Sequence, residues 1–156
     1  MGFTGPGVYE IIPYQAPDLS ANSWGGKLEA GAVVRTFPRG DRSKPSPNAV
    51  WQLALVAGSG DDAEYLIINL LTGYFLTATA DEQIVSTPQI SPNDPSTHWT
   101  IKSTPTNGYD VFTVNSKITS RGQLNVKECS SSSGADILSW PIENGDNSKW
   151  YFDTAP

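Results

Sequence analysis

The chain has 156 residues, a common size for one domain, with 14 glycines, 12 prolines and only 17% charged residues. Abundant turn formers and sparse charge leave little material for long amphipathic helices. The net charge of -6 opposes binding to nucleic acid and to anionic membrane surfaces. These features predict one compact domain over residues 1–156, rich in turns, with neither nucleic acid nor a membrane as its partner.

No export or anchoring signal is visible in the sequence. The first residues contain neither a basic segment nor an apolar stretch. The longest apolar run, residues 65–71, is interrupted by Asn69 and is too short to cross a bilayer. The single cysteine, Cys129, cannot form an internal disulfide. We therefore expect a cytoplasmic protein without membrane insertion, which would leave the cell only by a non-classical route.

Short β-rich runs follow one another between turn residues. In chain order they are residues 8–13, 32–36, 51–56, 65–69, 84–87, 99–103, 111–115, 137–140 and 150–153. Regular short strands bounded by Gly, Pro, Asn and Asp are typical of all-β barrels and sandwiches. No segment requires a helix.

A threefold repeat decides between these architectures. Three tryptophans, Trp51, Trp99 and Trp150, each open an apolar run and lie 48 and 51 residues apart. The units also begin alike at Tyr9, Tyr65 and Val111, and a leucine follows each opening, at Leu19, Leu76 and Leu124. Residues 34–38, 84–88 and 137–141 align without a gap and all end in proline. Self-similarity at a fixed period indicates one small unit used three times.

Three units of four strands give about twelve strands, which close their edges as a barrel with a hairpin cap. The sequence therefore predicts an all-β protein, a β-trefoil of three degenerate repeats with lobes at approximately 7–58, 63–105 and 108–156. In this fold the three repeated tryptophans are expected to be core residues that define the scaffold.

The same tryptophans carry a resemblance to a known family. They resemble the repeated Gln-x-Trp motif of ricin B-type lectins, although Ala49, Thr97 and Ser148 stand where glutamine is usual. A more specific similarity to the galactose-specific fungal agglutinins of that family covers residues 9–17, 26–29, 31–36, 65–69, 85–92 and 149–153. The resemblance implies a lectin that binds glycans ending in galactose or N-acetylgalactosamine without catalysis, through a primary site in the first lobe, and that forms a homodimer.

Galactose recognition needs an aromatic face for the C–H side of the sugar ring and fixed polar groups for its hydroxyls. The resemblance assigns these roles in each lobe to a polar residue after the second strand, an aromatic residue and an asparagine. The corresponding triplets are Asn22, Phe37 and Asn48, then Thr79, Thr87 and Ser96, then Lys127, Trp140 and Asn147. Only the first is complete, because the second lacks a ring and a cation replaces the acceptor in the third.

By the same resemblance, the carbohydrate-binding residues are Ser20, Asn22, Trp24, Gly25, Phe37, Arg39 and Asn48. Trp24 lies in a glycine-flanked turn, where we expect an exposed ring. The alternative is that Trp24 packs on its own loop, Arg39 is a solvated surface charge and Asn48 stabilises a turn. Trp140 and Asn147 form a candidate second site.

Other chemistry is disfavoured by the sequence. His98 adjoins a core tryptophan and Cys129 precedes a serine run, so neither a catalytic pair nor a zinc site is expected, and no cofactor is implied. The acids at 61–62 and 81–82 are typical of solvated turns. The rival function is a β-trefoil protease inhibitor acting through surface loops. A carbohydrate-binding module of a glycosidase is a third alternative, disfavoured by the start at Met1 and the end at Pro156.

Overall fold

The structure is a computed structural model that describes residues 2–89 and 91–156. Met1, the first residue of the predicted domain, and Ile90, within the quoted similarity at 85–92, lie outside the described residues. The twelve strands found in the described residues are β1 (Gly7–Pro13), β2 (Leu19–Ser23), β3 (Ala32–Pro38), β4 (Val50–Ala57), β5 (Glu64–Asn69), β6 (Phe75–Ala78), β7 (Ile84–Thr87), β8 (His98–Ser103), β9 (Phe112–Ser116), β10 (Gln123–Val126), β11 (Ile137–Trp140) and β12 (Trp150–Thr154). Between them lie short 3₁₀ turns, and this part of the chain contains no α-helix.

Six of the strands form a closed barrel. β1 pairs with β12 and β4, β4 pairs with β5, β5 pairs with β8, β8 pairs with β9, and β9 returns to β12. Every pair is antiparallel, and the ring leaves no open edge among these strands. Each lobe supplies two barrel strands, its first and its fourth.

The remaining strands form three hairpins that cap the barrel. They are β2–β3, β6–β7 and β10–β11. β3 also pairs with β7, and single bridges join Arg35 to Asp136 and Gln83 to Leu138, so each hairpin contacts the other two. Barrel and cap together are the β-trefoil that the repeat predicts. No helix in the described residues is long and apolar enough to cross a membrane.

The three repeated tryptophans are fully buried, as expected for core residues. The indole nitrogen of Trp51 donates to the carbonyl of Ala21 at 2.9 Å, that of Trp99 to Leu76 at 3.0 Å, and that of Trp150 to Leu124 at 3.1 Å. Each bond joins the fourth strand of a lobe to the second strand of the same lobe. A buried indole N–H needs such a partner, so each tryptophan fixes its own hairpin to the barrel.

These bonds also correct the alignment of the repeats. The counterpart of Leu76 and Leu124 is Ala21, whereas Leu19 lies two positions earlier on the same strand. Both Leu19 and Ala21 are buried, and residues two apart on a strand share a face, so the apolar pattern alone does not separate them. The opening strand of the third lobe is likewise shifted by one residue, because Phe112 rather than Val111 pairs with its tryptophan as Tyr9 does with Trp51.

Candidate functional site

A cavity of about 500 Å³ opens beside the β2–β3 hairpin of the first lobe. All seven residues that the resemblance assigns to the first-lobe site line it, namely Ser20, Asn22, Trp24, Gly25, Phe37, Arg39 and Asn48. They come from β2, the turn after it, the end of β3 and the turn that precedes β4. The fold therefore brings together residues that are spread over 29 positions of the sequence.

The aromatic wall of this cavity is formed by Trp24 and Phe37. Trp24 lies in the 3₁₀ turn Trp24–Gly26 and is half-buried, while Phe37 is exposed. Their ring centroids are 5.9 Å apart at 75°, and the guanidinium of Arg35 lies 5.2 Å from the Trp24 ring. Gly25 has a φ of +67°, a left-handed conformation that favours glycine, so this turn is built for that residue. Edge and cation contacts thus hold an aromatic surface at the cavity.

Two asparagines supply the neutral polar groups. The amide nitrogen of Asn22 donates to the carbonyl and the hydroxyl of Ser20, at 3.0 and 3.2 Å. The amide nitrogen of Asn48 donates to the carbonyl of Ser23 at 3.2 Å, and its backbone carbonyl accepts from Asn69 at 2.9 Å. With their nitrogens bonded to the protein, both side chains are oriented, and their carbonyl oxygens are the acceptors offered to a ligand.

The charged part of the cavity is a network around Arg39, whose side chain is only 6% exposed. Its Nε and Nη2 donate to the two oxygens of Glu10 at 3.3 and 2.7 Å, and Nη2 also donates to Asp153 at 2.6 Å. Burial lowers the pKa of Arg39, but the hydrogen bonds and charges of Glu10 and Asp153 outweigh it and raise the pKa above its ordinary value. Arg39 is therefore a buried ion-pair centre and not a solvated surface charge.

Glu10 is a cavity residue that the sequence analysis does not identify. It lines the cavity, is buried, and lies next to Tyr9 in β1. The residues that follow the equivalent aromatic positions in the other lobes are Leu66 and Thr113. A carboxylate at a buried barrel position, present in one repeat only, is the signal that could have found it.

The third lobe has a comparable cavity of about 510 Å³. Trp140 and Asn147 line it, together with Asn125 and Lys127. The amide nitrogen of Asn147 donates to the carbonyl of Val126 at 3.2 Å and to the side chain of Asn125, also at 3.2 Å. Val126 ends β10 as Ser23 ends β2, so Asn147 repeats the orientation of Asn48.

Strand pairing shows that Asn125, and not Lys127, is the third-lobe counterpart of Asn22. Asn22 lies opposite Arg35, and Asn125 lies opposite the equivalent Leu138. The prediction that a cation replaces the acceptor in this lobe is therefore wrong, because it follows the leucine alignment that is two residues out of register. The corrected third-lobe triplet is Asn125, Trp140 and Asn147.

The second lobe lacks a stacking ring. By the same pairing, its counterpart of Asn22 is Thr77 rather than Thr79. The hydroxyls of Thr77 and Thr87 are hydrogen-bonded to each other at 2.8 Å. These two residues stand where the first lobe has Asn22 and Phe37.

His98 and Cys129 have surroundings that differ from each other. His98 is buried, with Nδ1 2.9 Å from a carboxylate oxygen of Glu64 and Nε2 2.7 Å from the carbonyl of Pro92. Cys129 is exposed. Within the described residues no group of three or more His, Cys, Asp or Glu side chains is arranged to hold a metal ion.

Comparison with known proteins identifies the family of this chain. Residues 47–140 match the family model described as "Ricin-type beta-trefoil lectin domain-like". The chain belongs to this family and is a lectin. It is 65% identical to the agglutinin of Sclerotinia sclerotiorum over 153 residues, which cover 98% of this chain and 99% of that protein.

Solved structures agree in fold. The Rhizoctonia solani agglutinin superimposes with a TM-score of 0.77 at 15% identity, covering 97% of each chain. The C-half of an earthworm R-type lectin, solved in complex with GalNAc, superimposes with a TM-score of 0.66 at 20% identity, covering 95% of this chain and 98% of that one.

Proposed function

We propose that the first-lobe cavity binds terminal galactose or N-acetylgalactosamine and that the protein acts as an agglutinin. The observation that carries this proposal is the convergence of an aromatic wall, oriented amides and a buried carboxylate in one cavity. This is the combination that a sugar ring with one apolar face and several hydroxyls requires.

The proposed binding mode places the C–H face of galactose on Trp24 and Phe37. The axial 4-hydroxyl and its neighbour then donate to the amide oxygen of Asn48 and the carboxylate of Glu10. Arg39 has five N–H donors, and its three bonds to Glu10 and Asp153 leave donors for a sugar oxygen. Glucose, with an equatorial 4-hydroxyl, leaves these buried groups badly paired, which is the physical basis of discrimination.

Similarity to known lectins supports the choice of sugar. The Sclerotinia relative is named an agglutinin, and the earthworm lectin, which shares the fold, was solved with GalNAc. We extend both properties to this chain as part of the proposal.

Agglutination requires at least two sugar sites in one particle. We propose two sources of them: a homodimer, and a second site in the third-lobe cavity, where Asn125, Trp140 and Asn147 repeat the first-lobe arrangement. A single shallow site binds weakly, and multivalency then supplies functional strength. The third-lobe site has Thr113 and Lys127 where the first lobe has Glu10 and Trp24, so we expect it to be the weaker of the two.

We further propose that the protein works as one lectin domain over residues 1–156, without catalysis or a cofactor, and that it resides in the cytoplasm. The three lobes share one closed barrel, and the cavities of the first and third lobes are lined by groups suited to hydroxyl binding.

Titration with galactose, N-acetylgalactosamine, glucose and mannose tests the proposal, with calorimetry for affinity and tryptophan fluorescence for the site. Trp24→Ala removes the first-lobe wall, and Leu28→Ala, an exposed residue outside the cavity, is the matched control. We expect the parent and Leu28→Ala to bind both galactosides and neither glucose nor mannose, and Trp24→Ala to lose the stronger site. Absence of binding to any galactoside would contradict the proposal and favour the protease-inhibitor alternative.

A further inference from the structure

A second cavity of about 500 Å³ lies beside the first-lobe site, on the outside of the barrel. Its wall includes Arg39, Arg42, Asp110, Tyr151 and Asp153. It forms where β1 pairs with β12, at the junction of the first and third lobes. It is distinct from the hairpin cavities of the first and third lobes, and the first-lobe site does not account for it.

The two cavities share one lining residue, Arg39. Its Nη2 donates to Glu10 on the first cavity and to Asp153 on the second. A ligand longer than one sugar, seated in the first cavity, can therefore extend past this guanidinium towards the second. The shared residue places the two cavities next to each other.

A cavity of about 420 Å³ lies at the corresponding junction of β8 and β9, where Thr100, Lys102 and Ile142 line it, so the side chains of the second cavity do not recur there. Tyr151 directly follows the core tryptophan of its lobe, and the residues that follow the other two tryptophans are Gln52 and Thr100. Arg39 lies two positions after Phe37, and the strand pairing makes Thr87 and Trp140 the equivalents of Phe37 in the other lobes. The residues two positions after these are Gln89 and Ile142. Threefold packing explains features that recur in every lobe. It does not explain this set, which occurs only next to the first-lobe site.

The chemistry of the wall suits a neutral polyhydroxylated ligand. Tyr151 is half-buried, and its ring lies 5.7 Å from Tyr14 and 6.3 Å from Tyr109 between centroids, so its orientation is fixed. Tyrosine supplies such contact area at low entropic cost. The two arginines and the two aspartates carry cancelling charges and offer both donors and acceptors. A free anion or cation would meet like charges in the same cavity.

We propose that this cavity is an extension subsite that takes the sugar next to the terminal galactose, so that the protein selects a glycan of at least two residues rather than a monosaccharide. The inference rests on the proposed function, because it assumes that the first cavity holds the terminal sugar. Arg42 and Asp110 then bond hydroxyls of the second sugar, and Tyr151 contacts its C–H face.

Calorimetry with methyl β-galactoside and with two galactose-terminated tetrasaccharides, one β1,3-linked and one β1,4-linked, tests the inference. The measured quantity is the ratio of monosaccharide to tetrasaccharide Kd. In the parent we expect at least one tetrasaccharide to bind roughly tenfold more tightly than the monosaccharide, the equivalent of one or two added polar contacts. Arg42→Ala and Tyr151→Ala should bring this ratio close to one and leave the monosaccharide Kd unchanged.

Lys44→Ala is the matched control, since Lys44 is an exposed cation of the same loop that does not line the cavity. Arg42 is itself exposed, so its variant keeps the fold even if Tyr151→Ala does not. Backbone amide NMR shifts at Asp110 and Tyr151 should respond to the tetrasaccharide and not to the monosaccharide. If the monosaccharide binds but neither tetrasaccharide binds more tightly, or if Arg42→Ala keeps the gain in affinity, the subsite proposal is wrong and the proposed function still stands. If no galactoside binds, the proposed function fails with it.

Discussion

Glu10 and Asp153 lie opposite each other across the β1–β12 pair, and the guanidinium of Arg39 binds both carboxylates. Like charges directly opposite each other on paired strands repel, so Arg39 is what makes this arrangement stable. The same network presents Glu10 to the first-lobe cavity. One buried ion-pair centre thus joins the two barrel strands and lines the cavity that we propose as the sugar site.

Removal of Arg39 should therefore destabilise the fold as well as weaken binding. Arg39→Ala leaves a buried Glu10 carboxylate without its cation, and we expect the free energy of unfolding to fall by about 3 kcal/mol. Urea denaturation at pH 7 measures this loss. The double variant Glu10→Leu with Arg39→Gln copies the Leu66 and Gln89 of the second lobe. It should recover most of the stability and still lack galactose binding. Recovery of both properties would show that the network is structural only.

The barrel is largely predictable from the sequence because its strands carry a clear apolar pattern between turn residues. The nine predicted runs coincide with β1, β3, β4, β5, β7, β8, β9, β11 and β12, within a residue or two at their ends. The second strand of each lobe is visible only through its leucine. β2 and β10 alternate apolar and polar residues over only four or five positions, and their serine, asparagine and glutamine side chains are buried as well, which the alternation does not predict. β1 and the turn before β4 pack on β2, and β9 and the turn before β12 pack on β10, and a local sequence pattern does not report these contacts.

The same strands limit what the sequence predicts about the sites. The first-lobe residues line one cavity. In the third lobe, alignment on Leu19 shifts the predicted acceptor from Asn125 to Lys127, because a shift of two residues keeps the apolar face in place. Glu10 is missed for a different reason. Its partner Arg39 is 29 residues away, and Asp153 is 114 residues from Arg39, so the network exists only after the barrel closes.

The corrected register makes a testable distinction in the third lobe. If Asn125 is the sugar acceptor there, Asn125→Ala should remove the weaker of two galactose sites, whereas Lys127→Ala should leave both. Titration calorimetry with methyl β-galactoside gives the number of sites per chain, and we expect two, one and two for the parent, Asn125→Ala and Lys127→Ala. Circular dichroism checks that Asn125→Ala is folded. Loss of a site in Lys127→Ala but not in Asn125→Ala would mean that Lys127, and not Asn125, is the counterpart of Asn22.

Each core tryptophan should contribute similarly to stability, since all three make the same bond to a second strand. Trp51→Phe, Trp99→Phe and Trp150→Phe each remove the indole N–H, leave a buried carbonyl unpaired and open a small cavity. We expect each to lower the free energy of unfolding by about 2–4 kcal/mol. Trp24→Phe, at a half-buried residue outside the core, is the control and should cost far less. Chemical denaturation followed by far-ultraviolet circular dichroism measures all four without relying on tryptophan emission.

Acid should weaken the junction between the second and third lobes, where Glu64 accepts a hydrogen bond from Lys117 at 2.8 Å and contacts His98 at 2.9 Å. The bond from Lys117, followed by that with His98, lowers the pKa of the Glu64 carboxyl below its ordinary value of 4.5 and outweighs the opposing effect of burial. Because the folded pKa is the lower one, the unfolded chain takes up this proton more readily. The stabilisation is therefore complete above about pH 5 and is lost as the pH falls through the folded pKa.

Glu64→Gln should remove this dependence. At pH 7 we expect the variant to be less stable than the parent by about 1 kcal/mol, the scale of a partly exposed ion pair, and the difference should shrink towards zero near pH 3. Urea denaturation at a series of pH values between 3 and 7 measures both curves. Glu143→Gln, at an exposed acid, is the matched control and should follow the parent at every pH. A stability difference that is the same at pH 3 and pH 7 would mean that Glu64 acts through packing and not through its charge.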